Sequence, residues 1–485
     1  MDQIPFQEFL FMLPEGFLLV AGMILLLTSS AGRGVSSRTA TLFSLMALAA
    51  TAVMVHWVAG EAPDEPILAG MFVLDGYAVY WKYLLLLATA LTAVLSTRFL
   101  EEAGYRAGEF FSLLLTATTG MLLMAGGHNL LSIWISLELM ALSSYILAGY
   151  FKQETRSNEA ALKYFILGAL SSGIMLYGIS LLYGATGSLG LTEIAAGMPA
   201  AAATAPTLAA IGWLMLAIGL FFKVSAVPFH IWTPDVYVGA PTPVTAFLAV
   251  GSKAASFAIL VRIFYEALPH FALEWQVVTA AVAAVTMIWG NVAALTQNNV
   301  KRMLAYSSIG HAGYILMGVL AMSEDGLWAV LFYMVAYALI TLGVFGTVIL
   351  LERKEYAGET YEDYAGLARR APYLAAMMLI FMLALTGLPP TGGFFGKVYL
   401  FAAALEAGWT WVAVVGVLTS ALSLYYYLGI VVQMYFKESD DSTPSPRPAG
   451  GLVAVISLCA IVTVLLGIFP DSLVEFARAS LLPLP

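Results

Sequence analysis

The sequence predicts an all-α polytopic membrane protein of about 14 transmembrane helices, which include two inverted five-helix repeats. Three observations predict this class: the composition, the spacing of long apolar segments and the placement of basic residues. Of 485 residues, 61% are hydrophobic and 11% are charged. A soluble domain has about 45–50% apolar and about 25% charged residues. We therefore expect most of this chain to be surrounded by lipid.

Long apolar segments recur along the whole chain. A helix needs about 20 apolar residues to cross a hydrocarbon core about 30 Å thick. The opening MDQIPFQEFL contains no Lys or Arg, so it lacks the basic region of a secretory signal and we expect helix 1 to be retained. The predicted spans lie at about 10–29, 38–59, 73–97, 108–126, 129–151, 159–184, 207–231, 243–267, 272–296, 301–322, 326–351, 372–404, 409–436 and 450–469.

Basic residues cluster on one side of this topology. Cytoplasmic loops collect Lys and Arg, and this bias sets orientation. With the N-terminus outside, the outer loops carry only Arg262 and Arg478. If one span were missed or wrongly added, the loops after it would change sides and the basic residues would no longer cluster on one side. The bias therefore supports the helix count and places both termini outside a bacterial inner membrane. The inner loops carry Arg33, Arg38, Arg98, Arg106, Lys152, Arg156, Lys301, Arg302, Arg353, Lys354, Arg369, Arg370, Lys437 and Arg447.

The seventh and twelfth spans are interrupted. The seventh passes through Lys223 and Pro228 into IWTPDVYVGAPTP, and the twelfth contains ALTGLPPTGGFFGK, where Pro389 and Pro390 remove backbone donors from the helix. Interrupted spans at corresponding places in two halves indicate inverted repeats with a site near the midplane. Because each unit would contain an odd number of helices, the second unit would be inverted relative to the first.

These breaks predict the division of the chain. Helices 4 to 8 would form one repeat and helices 9 to 13 the other, with additional helices at both ends. The predicted segments are an N-terminal three-helix segment at 1–107, the first repeat at 108–267, the second at 268–437 and a C-terminal helix 14 at 438–485.

The remaining basic residues are all lysines inside predicted spans. A charge in the hydrocarbon costs about 2.5–3.5 kcal/mol on insertion scales, so each is a functional hypothesis. Desolvation lowers the pKa of a lysine and a nearby carboxylate raises it, so a moving partner can switch a lysine between proton loading and release. Arginine cannot release its proton, and none is predicted in the interior of a span. These lysines are Lys82, Lys163, Lys223, Lys253 and Lys397.

The first half contains a predicted switch. Glu138 lies near the middle of helix 5, and Lys223 ends the first part of the broken helix 7, where the negative end of the helix dipole favours a cation. We predict that these two residues pair, and a fixed structural ion pair is the alternative interpretation. Glu159 and Lys163 lie at i, i+4 on one face of helix 6, which allows either a role in proton transfer or an interfacial pair with an extended lysine.

Three further residues continue the predicted proton path. Lys253 on helix 8 is flanked by small residues that leave room for water, and we interpret it as a relay between the halves. Lys397 follows the second break, close to the positive N-terminus of a half-helix that would disfavour its charged form, and we interpret it as a release site. His311 on helix 10 could bridge Lys253 and Lys397 through water or make an ordinary polar contact. We interpret Lys82 and Glu15 as structural or subunit-contact residues.

Redox chemistry within this chain is not predicted. The one cysteine, Cys459, allows neither an internal disulfide nor a four-cysteine iron–sulfur site. A haem would need facing axial ligands, and only His230 and His311 are predicted to lie deep in the membrane. No dinucleotide-binding, phosphate-binding or metal-ligand motif is present.

Three long motifs resemble one known family. FFKVSAVPFHIWTPDVYVGAPTPVTAFL, NVKRMLAYSSIGHAGYILMG and LTGLPPTGGFFGKVYLF, together with SLELMALSSY around Glu138, resemble the antiporter-like family of complex I and of multisubunit cation/proton antiporters. The likeness extends over nearly the whole chain. Within this family the opening LPEGFLLVAGMILLL, the stretch LDGYAVYWKYLLLL and Lys397 are most similar to the subunit N branch, since the subunit M branch typically has glutamate at the position of Lys397.

The resemblance implies a role within a larger enzyme. It implies a hydrated charged axis formed by Glu138, Lys163, Lys223, Lys253, His311 and Lys397, which moves protons when quinone is reduced in other subunits. NADH, FMN, iron–sulfur clusters and quinone would bind to those partner subunits, and no cofactor is expected here. A subunit of a cation/proton antiporter or of a membrane-bound hydrogenase is the main alternative. An inert membrane scaffold is a second alternative, which the midspan lysines disfavour.

Overall fold

The computed structural model describes residues 5–31, 34–63, 65–352, 358–438 and 450–483. In this part of the chain, 13 helices are long and apolar enough to cross a membrane. One further crossing consists of two shorter helices, Pro372–Thr386 and Gly392–Glu406, on either side of the break at Pro389 and Pro390. The predicted number of about 14 crossings is therefore confirmed.

The helices are numbered α1 to α20 in chain order. The first ten are α1 Leu13–Ser30, α2 Ser37–Ala59, α3 Gly76–Ala103, α4 Ala107–Ala125, α5 Leu130–Ala148, α6 Thr155–Thr186, α7 Leu191–Thr204, α8 Pro206–Lys223, α9 Trp232–Gly239 and α10 Thr242–Phe247. The others are α11 Lys253–Arg262, α12 Ala272–Leu295, α13 Val300–Leu320, α14 Glu324–Leu351, α15 Leu367–Arg370, α16 Pro372–Thr386, α17 Gly392–Glu406, α18 Thr410–Phe436, α19 Gly450–Ile468 and α20 Asp471–Arg478.

Both predicted helix breaks are confirmed. The seventh crossing ends as α8 at Lys223, and α9 begins only at Trp232, after a segment that includes Pro228. The twelfth crossing ends as α16 before Gly387, whose φ of +87° suits glycine and stops the helix. Thr391 then caps α17 by accepting a hydrogen bond from the backbone N–H of Phe394. The breaks thus have ordinary causes in proline and glycine chemistry.

The centre of the molecule is formed by three crossings. One crossing is made by α10, a π-helical turn and α11, and its most apolar 18-residue stretch is 100% buried. The corresponding stretches, or windows, of α13 and α14 are each 94% buried. By contrast, the corresponding windows of α1, α2 and α6 are less than half buried. Charged groups on the central crossings are therefore shielded from lipid by protein.

Corresponding elements of the two halves have matching local structure. An isolated bridge joins Asn129 to Gly190 in the first half, and another joins Asn299 to Thr360 in the second. Each asparagine also caps the helix that follows it, α5 or α13. This match agrees with inverted repeats, while the segment boundaries remain predictions.

Several details differ from the sequence-based predictions. Helices α7 and α20 lie outside the predicted spans. The alanine-rich sequence of α7 favours a helix, but with 14 residues it is too short to cross the membrane. Arg262 was assigned to an outer loop and Lys301 to an inner one. Both lie within helices and are buried, being 1% and 3% exposed. Basic residues that lie outside the described residues are Arg33, Arg353, Lys354 and Arg447.

Candidate functional site

Four cationic or titratable side chains predicted to form the proton path are buried in the bundle. Lys223 is 3% exposed, Lys253 2%, His311 3% and Lys397 3%. They come from α8, α11, α13 and α17, so the path draws on both halves of the chain. Because each buried charge is expensive alone, the contacts of each one determine what it can do.

Glu138 marks one end of this series. Its carboxylate accepts a short hydrogen bond from the Ser172 hydroxyl on α6, and Trp134 Nε1 donates to the same hydroxyl at 2.9 Å. The Glu138 side chain is only partly buried, in contrast to the lysines. A partly exposed carboxylate in the middle of a membrane crossing requires a polar neighbour, so this face of α5 is suited to contact with another subunit.

Lys223 does not form the predicted direct pair with Glu138. Its ammonium has no hydrogen-bond partner in the described part of the chain, and no ion pair within 4.0 Å joins it to Glu138 there. The closest aromatic neighbour recorded is Tyr145, with Nζ 5.8 Å from the ring centroid. The Tyr145 hydroxyl is also unpaired within those same described residues. Lys223 and Glu138 are therefore not in direct contact, and the unpaired Tyr145 hydroxyl belongs to the aromatic neighbour of Lys223.

Lys253 lies at the start of α11, directly after the π-helical turn at Leu248–Ser252. Such turns often accompany functional sites because they re-aim side chains. Lys253 Nζ donates to the Ser308 carbonyl at 2.7 Å and also contacts the Ser308 hydroxyl. Tyr337 donates to that hydroxyl at 2.9 Å. Lys253 therefore contacts α13 through Ser308, which in turn is hydrogen-bonded to Tyr337 on α14.

His311 is held by two tyrosines. Its Nδ1 lies 2.5 Å from the Tyr333 hydroxyl, and its Nε2 lies 3.0 Å from the Tyr427 hydroxyl. The imidazole centroid is 5.3 Å from the Tyr337 ring and 5.7 Å from the Tyr314 ring. Tyr337 is the aromatic neighbour of Lys253 and Tyr314 that of Lys397. His311 therefore lies between the two lysines without a direct hydrogen bond to either.

Lys397 has three hydrogen-bond acceptors. Its ammonium donates to the carbonyls of Leu385 and Thr386 at 2.8 and 2.9 Å, and to the Ser420 hydroxyl at 2.9 Å. The two carbonyls belong to the C-terminal end of α16. The sequence-based argument that the positive N-terminus of α17 would disfavour the cation is therefore wrong, because the side chain reaches back to the negative end of the preceding half-helix.

A small cavity lies beside residues that contact Lys253 and Lys397. It has a volume of about 10 Å³ and is lined by residues that include Ser307, Ser308, Tyr337, Thr341 and Leu385. This volume is about that needed for one water molecule, and the hydroxyl groups provide several polar partners. Since Ser308 contacts Lys253 and the Leu385 carbonyl accepts from Lys397, one water here would connect the surroundings of both.

Lys163 lies in a different setting. Its ammonium bridges Glu159 at 2.8 Å and Asp235 at 2.7 Å, and 43% of the side chain is exposed. Arg302 also contacts Asp235, at 3.1 Å. These groups line an open pocket of about 270 Å³ together with Arg156 and Glu359. The predicted i, i+4 pair is present, but it belongs to a charged vestibule at the surface and not to the buried series.

Lys82 and Glu15 form a separate buried ion pair. The Lys82 ammonium lies 2.7 Å from Glu15, and both side chains are 3–4% exposed. The contact joins α3 to α1 within the N-terminal segment. It agrees with the structural role expected for these residues.

The buried Arg262 joins α11 to the start of α3. Its guanidinium donates to both oxygens of Asp75, at 2.8 and 2.9 Å, and to Glu266 at 2.9 Å. Burial alone would raise the pKa of the Asp75 carboxyl, but the charge and hydrogen bonds of Arg262 outweigh this effect and hold that pKa below its ordinary value. The presence of arginine here corrects the expectation that none lies within a crossing.

Sequence reasoning found the charges but missed most of their polar neighbours. The missed neighbours are Ser172 beside Glu138, Tyr333 and Tyr427 beside His311, Ser420 beside Lys397, and Asp235 beside Lys163. Serine and tyrosine are common in membrane helices, so composition alone does not distinguish these positions. Asp235 could have been found, because it is a carboxylate directly after the first helix break.

Within the described residues, no group of three or more His, Cys, Asp or Glu side chains could hold a metal ion. The site consists of titratable side chains, hydroxyl groups and one water-sized cavity. These groups can donate and accept hydrogen bonds, and lysine and histidine side chains can gain or lose a proton.

Relatives with full-length similarity identify the family. The family described as NADH:quinone oxidoreductase/Mrp antiporter, TM matches residues 127–423. The chain is 40% identical to NADH-quinone oxidoreductase subunit N of Trichlorobacter lovleyi, over 96% of this chain and 95% of the relative. It is 42% identical to the subunit N of Parvibaculum lavamentivorans, over 98% and 97% of the two chains.

Solved structures agree with this assignment. A chain of respiratory complex I from Thermus thermophilus with bound aureothin is 34% identical, with a TM-score of 0.79 over 95% of this chain and 98% of that one. A chain of the Mrp complex from Dietzia sp. has the same fold, with 24% identity and a TM-score of 0.83 over 98% and 96% of the chains. This chain is therefore a multi-pass membrane protein that belongs to the NADH:quinone oxidoreductase/Mrp antiporter transmembrane family, within its NADH-quinone oxidoreductase subunit N branch.

Proposed function

We propose that this chain is a proton-translocating membrane-arm subunit of a respiratory NADH:quinone oxidoreductase. Protons move through Glu138, Lys223, Lys253, His311 and Lys397, and quinone reduction in other subunits drives this movement. The observation that carries the proposal is the series of buried titratable groups from both halves, supported by tyrosine and serine hydroxyls. The names of the relatives support the enzyme complex to which the proposal assigns the chain.

Proton exchange requires groups that can gain and lose a proton at modest cost. Lysine and histidine meet this requirement, and arginine does not. Lys223 lacks hydrogen-bond acceptors among the described residues, so its charged form depends on the charge state of Glu138 and on nearby water. Hydroxyl groups and the water-sized cavity connect Lys253 of the first half with His311 and Lys397 of the second half.

Lys163 contributes at the surface and not within the buried series. Its contacts with Glu159 and Asp235 place it in the charged vestibule beside α9. The vestibule lies at the end of the bundle where the sequence analysis assigns the basic inner loops. Lys163 therefore acts on protons that arrive from the cytoplasm, before they reach the buried groups.

The partners of the chain are other membrane-arm subunits in a bacterial inner membrane. The partly exposed Glu138 on α5 faces one such partner, because lipid cannot solvate a carboxylate. NADH, FMN, iron–sulfur clusters and quinone bind to subunits other than this one. Both termini of the chain lie on the outer side, as the basic residues of the loops indicate.

A subunit of a cation/proton antiporter is the second candidate. The fold match to the Mrp complex favours it, but the 40–43% identity to relatives named subunit N over most of their length favours the oxidoreductase. Co-purification distinguishes the two. The tagged chain should co-purify with the redox subunits of the oxidoreductase. Recovery of antiporter subunits alone would contradict the assignment to the oxidoreductase.

The proton path is tested by removing its central lysine. Lys253→Met should lower NADH-driven acidification of inverted vesicles by at least about tenfold, since loss of a proton-transfer group typically costs about 100-fold or more in rate. The matched control replaces a buried lysine outside the proposed path together with its partner, Glu15→Leu with Lys82→Met. Removing both members of an ion pair leaves no uncompensated charge, so this control should assemble and pump. Normal pumping by assembled Lys253→Met would contradict the proposal.

A further inference from the structure

A large groove lies beside α18. Its volume is about 1000 Å³, and its wall extends along α18 from Ala421 to Gln433. These 12 helical steps correspond to about 18 Å at about 1.5 Å per residue. One leaflet of the hydrocarbon core is about 15 Å thick. The groove therefore has the length of a single acyl chain in one leaflet.

The two ends of the groove differ in polarity. Toward Ala421 the wall is formed by aliphatic and aromatic side chains of α18, including the 75% exposed Tyr425. The opposite end is bordered by Gln297, Asn298, Thr360 and Glu362. An amphipathic molecule with its polar end at the membrane surface matches this arrangement.

The charge of the polar end selects the headgroup. Glu362 is the one charged residue among those lining the groove, and no lysine or arginine lines it. No ion pair of Glu362 is recorded in the described part of the chain. An anionic headgroup would be repelled, whereas an ammonium group would be attracted. A primary ammonium can also donate hydrogen bonds to the carboxylate, which a quaternary ammonium cannot.

We propose that this groove binds one phospholipid with a primary ammonium headgroup, of the phosphatidylethanolamine type. Its ammonium contacts Glu362, and its phosphate accepts hydrogen bonds from the amides of Asn298 and Gln433. One acyl chain lies along α18 toward Ala421. The site is specific because the headgroup and the chain length must both match.

The inner wall of the groove connects to the buried charged residues. The Tyr426 hydroxyl donates to Asn291 Oδ1 at 2.9 Å, and Asn291 Nδ2 donates to the Tyr314 hydroxyl at 3.2 Å. The Tyr314 ring lies 4.9 Å from Lys397 Nζ. An acyl chain against this wall keeps water away from Tyr426 and hence from Lys397. This sealing role rests on the proposed proton path, whereas lipid binding itself does not.

Photolabelling of the assembled complex tests the binding site. The complex is reconstituted in phosphatidylcholine vesicles that contain a trace of lipid with a diazirine on the acyl chain and an ethanolamine, choline or glycerol headgroup. The ethanolamine lipid should label residues 421–433 about threefold more than either other lipid, because a surface ion pair has a modest effect. Glu362→Gln should abolish this preference.

A matched pair of tryptophan variants tests the acyl position. Ala421→Trp fills the apolar end of the groove and should remove the labelling of 421–433. Val417→Trp lies one turn away on an exposed part of α18 that does not line the groove, so it should label normally. Equal labelling by all three headgroups would identify ordinary boundary lipid, and a lack of labelling would indicate that another subunit covers the groove. Either result would overturn the proposal, whatever the outcome for proton pumping.

Discussion

Lys223 and Lys397 lie beside the two helix breaks, but their ammonium groups are in opposite hydrogen-bonding states. Lys397 donates to two carbonyls and a hydroxyl, all within 2.9 Å. Lys223 is equally buried and has no hydrogen-bond partner in the described part of the chain. The second half therefore stabilises the charged lysine with fixed groups, while the first half leaves this task to Glu138 or to water.

This difference suggests a division of roles between the halves. An unsatisfied ammonium is costly in a dry environment, so the charge on Lys223 should respond strongly to a change at Glu138. A fully bonded ammonium responds less, because two of its three acceptors belong to the backbone of α16 and cannot move away without breaking the fold. We expect the first half to act as the switch and the second as the store from which protons leave.

The largest effect is expected at the fully bonded lysine. Lys397→Arg keeps the positive charge but cannot release its proton, and the larger guanidinium does not fit three acceptors arranged around an ammonium. Proton pumping in inverted vesicles should fall by at least about tenfold, nearly as far as with Lys397→Ala. If arginine supports normal pumping, Lys397 serves only as a fixed positive charge. The difference in hydrogen bonding between Lys223 and Lys397 would then have no functional meaning.

A moderate effect is expected at the water-sized cavity. Thr341→Val removes one hydroxyl that lines the cavity at nearly constant volume, and one hydrogen bond is worth about 0.5–1.5 kcal/mol, so pumping should fall about two- to tenfold. Thr347→Val on the same helix is the matched control, because its hydroxyl donates to the Val344 carbonyl and does not line the cavity. Equal effects of the two variants would show that the cavity does not carry protons.

The smallest effect on pumping is expected from a topology probe. Gly358→Cys lies between α14 and α15, on the side to which we assign the cytoplasm, and outside the buried series of Lys223, Lys253, His311 and Lys397. It should leave pumping nearly unchanged, with a small loss of stability because the positive φ of Gly358 disfavours a β-carbon. A membrane-impermeant thiol reagent should label it only from the cytoplasmic side. Labelling from the outer side would overturn the predicted topology.

Much of the fold was predictable from the sequence because its signals are strong and local. Long apolar segments define the crossings, and Pro389, Pro390 and Pro228 interrupt the helical hydrogen bonds wherever they occur. The short helices α7 and α20 were missed because each is too short to give the signal of a membrane span.

The contacts of the charged residues were less predictable. The sequence indicates that Lys223 and Lys397 are intramembrane charges, but it does not indicate the direction in which a long flexible side chain extends. Lys397 reaches back to α16 and Lys223 stops short of Glu138, and both outcomes depend on packing between distant helices. The burial of Arg262 was missed for a similar reason, since its partner Asp75 lies on α3's N-terminal side, far away in sequence.

The proposed proton path requires Glu138 and Lys223 to act as one switch although they are not in direct contact. The measurement is a double-mutant cycle of Glu138→Gln and Lys223→Met, with NADH-driven acidification and quinone reduction recorded on assembled complexes. We predict that each single change lowers pumping strongly and that the double change is little worse than either, because both disable the same element. Losses that multiply in the double variant, or full pumping by Glu138→Gln, would contradict the switch.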